Sequence, residues 1–581
     1  MVTYTRRRIL QYGAAGGAML FVPLSWAARV SSASATMAGK LAKYVQPVPR
    51  VGAGIAVAQQ TPSGSNHYSF TQTEIARQLH PELPATPIWA YDDGHNGLAG
   101  QAGSFGMAVA AQSGTPVTMS FTNHLPTTYP SWIPVDPRLT PFRNPDGSPQ
   151  VRVMTHLHGG FVAADSDGNP AATPQLFKRG QTQNVLYTNQ LPQMPASLLW
   201  FHDHGLGTTR LNVFAGLAAG YLLRDEFDTG ETDNPNGLPS GLGPDGFEVP
   251  LVIQDRQFLP TGEFLYPTSD IPGTTWIGEY FGDTMLVNGK VWPFLDVEPR
   301  LYRFRILNGC NARIMNLDIG GARMWQIGAE GGLWDVPVPV SQLVLAPAER
   351  ADVLVDFSRL PGQTTVMTNG PLPAPVSNPA PQLAQVMQIR VADSTPVAPT
   401  IPAKLVGGRR AQLPAPVAQR FITLNEVDVD SPRWRLTLND NPFMDNLPAT
   451  ETPKVGTVED WYYINLTGDT HPMHTHLVTF QVVRRFPFDA EAYETAVGEG
   501  PNGGVPGGTD PRPYRLGPDL PPDPTERGFK DTVKANPGQV TVIRAKFDLP
   551  AKVRAPQSYV HHCHIVEHED NDMMVPFTVV R

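Results

Sequence analysis

A chain of 581 residues with 60 Pro, 53 Gly, 17% charged and 41% hydrophobic residues is neither mostly helical, nor a coiled coil, nor disordered, and its length suits about three globular domains. The formal net charge of −9 offers no basic face for nucleic acid. Two cysteines, Cys310 and Cys563, permit at most one disulfide and no cysteine-rich zinc or iron–sulfur scaffold.

Taken in chain order, residues 1–35 read as an address. Arg6, Arg7 and Arg8 precede a Gly/Ala-rich apolar stretch from Tyr12 to Ala28 that Pro23 interrupts, and Ala33, Ser34 and Ala35 follow as small cleavage-site residues. The apolar run falls short of the ~20 firmly apolar residues of a membrane span, so a cleaved twin-arginine export signal fits it. Its loss would take the formal charge from −9 to −13 and leave a periplasmic or extracellular protein with no stable membrane span. The twin-arginine translocase would be its export partner.

Beyond the signal, short alternating runs separated by Pro, Gly, Asp and Asn clusters predict strands near 117–121, 151–155, 302–307, 351–357, 461–466 and 540–545. A helical period is read over Thr71–Gln78. Two turn-rich joints, 228–247 and 371–402, suggest interdomain connections, and 498–524 reads as a long surface loop. The expected class is all-β, as three Greek-key sandwich domains over 36–226, 245–395 and 405–581.

Ten of the fifteen histidines fall in four clusters: HLHGG (His156, His158), WFHDH (His202, His204), HPMHTH (His471, His474, His476) and HCHIVEHEDNDMM (His562, His564, His568). One His-x-His pair is weak evidence of a metal, since two strand histidines often reflect only packing. Four pairs together are another matter, because residues i and i+2 of a strand project the same way, about 6.6 Å apart. In the last cluster Cys563 would face away from His562 and His564, so one short peptide would link two centres. His471, three residues before His474, can also point away. With Cys563 and His568 it makes a His2Cys set, and Met573, with Met574 as competitor, can supply a weak axial thioether. That donor list is the blue-copper (type 1) pattern, and the remaining eight imidazoles suit three more copper ions. Zinc would leave about half of these ligands idle.

These residues resemble the three-domain multicopper oxidases, nearest to the bacterial laccase-like members of the spore-coat laccase, bilirubin oxidase and phenoxazinone synthase type. The resemblance runs on through LWFHDHGLGTTRLNVFAGLAAGYLLRD, LYRFRILNGCNARIMNLDI and ERGFKDTVKANPGQVTVIRAKF, and covers most of residues 85–581. It implies three cupredoxin-like domains and four copper ions: one type 1, one type 2 and two type 3. It assigns His156 and His474 to type 2 copper, and His158, His202, His204, His476, His562 and His564 to the type 3 pair. His471, Cys563 and His568 go to type 1 copper with Met573 axial. The shared cluster would lie where the first and last domains meet.

The activity so implied is one-electron oxidation of phenols or aromatic amines at type 1 copper, coupled to four-electron reduction of dioxygen to water. Glu569 and, in ADSDG, Asp167 match acidic positions of the family and are expected to handle protons. The partners are a small reducing substrate and dioxygen, and the protein is expected to be a monomer. The alternatives are oxidation of cuprous, ferrous or manganous ions, or of bilirubin or an o-aminophenol. The methionines are dispersed rather than gathered in a Met-rich insertion, which counts against the cuprous subtype. His561, His67, His80, His95 and His124 match no ligand position and are expected in surface or ordinary hydrogen-bonding roles, with Cys310 a buried free thiol.

Overall fold

The computed structural model describes residues 36–95, 108–408, 412–429, 433–445 and 448–581, so the export signal read over 1–35 lies outside the described residues. Strands take 40% of the chain and helices 7%, which makes the protein all-β. Six main sheets follow one another in pairs. The first pair orders its strands 182–187, 117–123, 67–77, 86–92 and 109–112, 218–224, 197–203, 155–158. A seven-stranded and a five-stranded sheet follow between 248 and 391. The last pair is a five-stranded sheet over 418–546 and a four-stranded sheet ordered 532–535, 471–475, 557–563, 574–579. Pairings of both senses, such as 67–72 running parallel to 118–123 while 71–77 runs antiparallel to 86–92, give the crossing connections of Greek-key sandwiches.

All six expected strand runs lie within or across strands, among them Val117–Asn123, Leu301–Asn308, Arg350–Asp356, Val458–Asn465 and Gln539–Lys546. The helix expected over Thr71–Gln78 is instead part of the strand His67–Arg77. Its burial alternates with period two, placing Tyr68, Phe70 and Gln72 inward, and it is hydrogen-bonded on both sides. Sheet pairing and a stacked Phe70–Phe121 contact at 5.6 Å outweigh a local helical period.

The joints are more ordered than turn-rich composition suggests. Asp228, at the start of the first joint, is buried and accepts paired hydrogen bonds from Arg303 at 2.7 and 2.8 Å and one from Arg305 at 2.5 Å. The second joint contains the strand Gln385–Val391, which pairs with 364–368 and 294–297. Within the 498–524 loop, Asp440 accepts backbone N–H groups of Asn502 and Gly504 at 2.9 and 2.7 Å.

Candidate metal centre

Strand register brings the imidazoles together. Strands 155–158 and 197–203 pair so that His156 lies opposite His202, and strands 471–475 and 557–563 pair so that His474 lies opposite His562. The two sheets, one from each end of the chain, meet through their histidines. His156 stacks on His476 with ring centroids 3.9 Å apart, and His158 stacks on His474 at 3.7 Å. His204 approaches His562 at 5.1 Å, and His564 lies 5.0 Å from His158 and 5.3 Å from His202. All eight histidines are at most 2% exposed.

Hydrogen bonds decide which ring nitrogen faces inward. His156 Nδ1 donates to the Asp167 carbonyl at 2.6 Å, His202 Nδ1 to the Asp203 carbonyl at 2.9 Å, and His474 Nδ1 to the Asp531 carbonyl at 2.8 Å. His476 Nδ1 donates to Asp167 Oδ2 at 2.8 Å, and His562 Nδ1 to the Cys563 carbonyl at 3.1 Å. Each of these contacts turns Nε2 toward the shared centre. His158 is reversed: its Nε2 is held by Asp531 Oδ1 at 3.0 Å and Thr532 Oγ1 at 3.1 Å.

The nitrogens left over are the test of a metal. His156 Nε2, His202 Nε2, His474 Nε2, His158 Nδ1 and both nitrogens of His204 and His564 are buried without a hydrogen-bond partner. Orphaned polar atoms cost about 1–3 kcal/mol each, and such a concentration of them in one place calls for an ion. Burial, then neighbouring imidazoles, pushes His156 and His204 well below the usual imidazole range, and burial pushes His202 down to about 4. These three rings are therefore neutral lone-pair donors at neutral pH. Triads such as His156, His474 and His476, or His204, His476 and His562, bring one ligand atom each within 4.8 Å of one another.

On the other face of strand 557–563, Met473 lies opposite Cys563, and a second group forms. Cys563 Sγ is 3.5 Å from His471 Nδ1 and 3.7 Å from His568 Nδ1, and the two nitrogens are 3.3 Å apart. Met573 is fully buried, and its carbonyl accepts the Cys563 N–H at 3.0 Å. Met574 instead pairs opposite His562, on the imidazole face. The face alternation expected from the sequence is the one observed. Thiolate plus imidazole is a donor set that copper prefers.

Both acidic candidates lie at the eight-histidine group. Glu569 Oε1 is 3.4 Å from His204 Nδ1 and its Oε2 is 3.3 Å from His562 Nδ1. Asp167 contacts two rings, His476 at 2.8 Å and His156 at 3.7 Å, and burial raises its carboxyl. The short helix Val566–Asp570 that carries His568 and Glu569 is clamped from elsewhere in the chain. Asp570 accepts the backbone N–H groups of Thr209 and Arg210 at 3.0 and 2.9 Å, while Glu567 accepts from Tyr266 and Asn311 at 2.8 Å each.

Asp531, Arg350, Glu567 and Asp570 carry no signal in the sequence that marks them as site residues. Asp531, Glu567 and Asp570 lie within motifs quoted above and Arg350 beside the run 351–357, but only their partners reveal a role. Of the remaining histidines, His67 and His95 bond Thr118 and Thr61 at 2.8 Å each, and buried His80 donates to the Ala42 carbonyl at 2.8 Å. His561 is fully buried, against Trp461 and 3.5 Å from Glu451. Cys310 and Cys563 are both unpaired and buried.

Residues 270–385 and 416–581 each match the family described as Multicopper oxidase. The chain is 36% identical to a laccase of Bacillus subtilis over 93% of its own length and 99% of that protein's. A laccase of Haloferax volcanii is 34% identical over 100% of this chain and 91% of its own. Among solved structures, the McoA multicopper oxidase of Aquifex aeolicus superposes with a TM-score of 0.70 at 26% identity, covering 93% of this chain and 100% of that one. Such similarity, spanning the relatives from end to end and falling on a chain whose imidazoles and thiol converge as copper chemistry requires, makes this protein a member of the multicopper oxidase family, a copper oxidoreductase that uses dioxygen.

Proposed function

We propose that the protein is a laccase-type oxidase of phenols and aromatic amines that holds four copper ions in two centres. His471, Cys563, His568 and axial Met573 would hold type 1 copper, His156 and His474 type 2, and His158, His202, His204, His476, His562 and His564 the type 3 pair. Bound copper would supply the redox chemistry, one-electron oxidation of the reductant coupled to four-electron, four-proton reduction of dioxygen to two waters.

The observation that carries this reading is the three-residue run His562–Cys563–His564, whose thiol lies with His471 and His568 while its two imidazoles lie in the buried group. One stretch of backbone thus spans the two donor sets. His568 would be the side facing the reductant. Contacts of Glu569 with two rings at 3.4 and 3.3 Å support a role for it in delivering protons to reduced oxygen, and contacts of Asp167 with two rings support a role for it in holding them. Loading the purified protein with copper tests the reading: it expects an intense blue absorption and oxygen uptake with a phenol. A fully loaded but colourless protein would overturn it.

A second reading, oxidation of a metal ion, is favoured by partly exposed carboxylates near the thiol group. Glu426 Oε1 lies 3.9 Å from His471 Nε2. Burial, then the negative charges of Asp469, Glu426 and Glu567, raises the Glu279 carboxyl well above its usual range. A cation arriving there would relieve that repulsion. Oxygen uptake with ferrous, cuprous and manganous ions, run against a phenol and bilirubin, ranks the two readings.

Residues 1–35 are proposed to export the folded protein by the twin-arginine route to a periplasmic or extracellular location, and the mature chain to act as a monomer with domains over 36–226, 245–395 and 405–581. Replacing Arg6 and Arg7 by Lys should retain the protein in the cytoplasm, as read by fractionation. Among the described residues no helix is long and apolar enough to cross a membrane.

A further inference from the structure

The middle segment supplies none of the ten clustered histidines, yet it reaches the buried group through one side chain. Arg350 opens the strand Arg350–Asp356 and is 2% exposed. Its guanidinium grips the Asp531 carboxylate with both arms, NH1 to Oδ1 at 2.9 Å and NH2 to Oδ2 at 2.5 Å. Nε donates to the Leu198 carbonyl at 3.1 Å, on the strand that carries His202, and NH1 also donates to the Ala348 carbonyl at 2.9 Å. The planar fork therefore ties together three distant parts of the chain, and a paired contact of this kind fixes the rotation of the carboxylate as well as its position.

What Asp531 does with that fixed orientation is specific. Its Oδ1 accepts from His158 Nε2 at 3.0 Å, while its main-chain carbonyl accepts from His474 Nδ1 at 2.8 Å. His158 and His474 are stacked 3.7 Å apart, so one residue gives two neighbouring rings opposite orientations. His474 is left with Nε2 unpartnered and His158 with Nδ1 unpartnered. His158 is the exception among the hydrogen-bonded rings of the group: its Nε2 lies 3.0 Å from Asp531 Oδ1, which Arg350 grips, and 3.1 Å from Thr532 Oγ1.

The backbone beside His158 is shaped to this pair. Gly159 has φ +88°, and a Cβ there would lie 2.7 Å from Asp531 Oδ2 and 3.1 Å from Arg350 NH2. Only a residue without a side chain lets the first histidine motif approach so closely. Arg350 is anchored in turn: its backbone N–H donates to Glu330 Oε1 at 2.9 Å, and Glu330 Oε2 accepts from Lys530 Nζ at 2.8 Å, next in sequence to Asp531. Arg350 and Asp531 are thus each held from a second direction.

We propose that Arg350 is a positioning residue of the copper centre: by locking the Asp531 carboxylate it holds His158 with Nε2–H outward, so that Nδ1 is the nitrogen offered to metal. The proposal rests on the ligand assignment given under Proposed function. Groups that orient metal-bound histidines typically change metal affinity about 10–100-fold when removed.

The test uses the full chain with isotopically labelled histidine, metal-free and copper-loaded. In the metal-free wild type, nitrogen NMR should find His158 solely as the Nε2–H tautomer. In Arg350→Met, which keeps the bulk and loses the fork, His158 should populate both tautomers. Copper retention at the histidine group, followed by metal analysis against a competing chelator, should weaken about 10–100-fold while the blue absorption of the Cys563 site is unchanged. A single unchanged His158 tautomer with undiminished copper retention would overturn the proposal. Equal weakening of both centres in a folded Arg350→Met, with His158 no different from the other rings, would also overturn it. Should Arg350→Met not fold, Arg350→Lys keeps the charge without the paired geometry and should show the same tautomer mixing; wild-type behaviour in both readouts would be equally fatal. Failure of the ligand assignment is distinguishable, because the wild type itself would then take up copper without disturbing the His158 signals.

Discussion

The two metal-binding groups lie on opposite faces of one strand, yet they are built differently. The thiol group draws His471, Cys563, His568 and Met573 from about a hundred residues near the C-terminus: two neighbouring strands bring His471 to Cys563, and the helix Val566–Asp570 with the turn after it brings His568 and Met573. The eight-histidine group takes four rings from residues 156–204 and four from 474–564, and its outer contacts come from Asp167, Asp531 and Glu569. The first site takes all its donors from one end of the chain; the second needs two ends of the chain to dock, with the middle segment bracing them. Its stability is therefore tied to the seams of the molecule, where buried ion pairs such as Arg350–Asp531 and Lys534–Glu349 accompany apolar packing.

That contrast can be broken from either side. The largest effect should come from Cys563→Ser, which removes the thiolate: blue absorption should vanish and turnover fall to background, while metal analysis still finds copper at the histidine group. Asp570→Ala strikes the opposite side. It leaves buried Arg210 without its carboxylate partner 3.0 Å away and the N-terminal turn of helix Thr209–Ala215 uncapped. Removing one member of a buried pair costs about 3–5 kcal/mol, so chemical denaturation should show that loss.

Glu569→Gln should slow reoxidation by dioxygen about a hundredfold or more, the usual range for a lost proton donor, and leave the blue absorption intact. Stopped-flow mixing of the reduced enzyme with oxygen checks this; unchanged reoxidation would remove the assigned role.

Acid should loosen the buried ion pairs next. Burial works to raise the Glu526 carboxyl, but Arg485 and Lys534 beside it win and hold it well below the usual carboxylate range. Burial opposes ionisation of Asp228 too, and Arg303 and Arg305 overcome it in the same way. A depressed carboxylate contributes stability that is complete above its unfolded value near ~4 and is lost as pH falls toward its folded one. Melting temperature should therefore decline below about pH 4, with each such group contributing up to about 1.4 kcal/mol per pH unit, and Glu526→Gln should flatten the decline. The smallest change is expected from Glu279→Gln. If metal ions are substrates it should reduce their kcat/KM several-fold and leave a phenol unaffected, equivalent to roughly 1 kcal/mol.

Much of this site is legible in the order of the residues alone. Alternation in a strand makes His562 and His564 share a face and turns Cys563 the other way, and His471 falls out of register with His474 for the same reason. Both follow from local geometry, and both are observed. The strand 67–77 is not legible in that way, because its period-two burial depends on pairing partners on either side, while the local pattern reads equally as a helix. Arg350 and Asp531 are hidden for a related reason. Arg350 is 181 residues from Asp531 and Asp531 is 373 from His158, and charged side chains in a strand-rich segment look like solvated surface until burial is known.

The sequence by itself thus determined the chemistry: which donors exist, which share a face, and that thiolate with many imidazoles calls for copper. The tertiary structure alone decided which nitrogen of each ring faces inward, since that depends on a hydrogen-bond acceptor brought from far along the chain. It also decided how the ends of the chain are braced around the histidines. Local backbone periodicity is written in adjacent residues, whereas the pairing of buried polar groups exists only once the sheets have met.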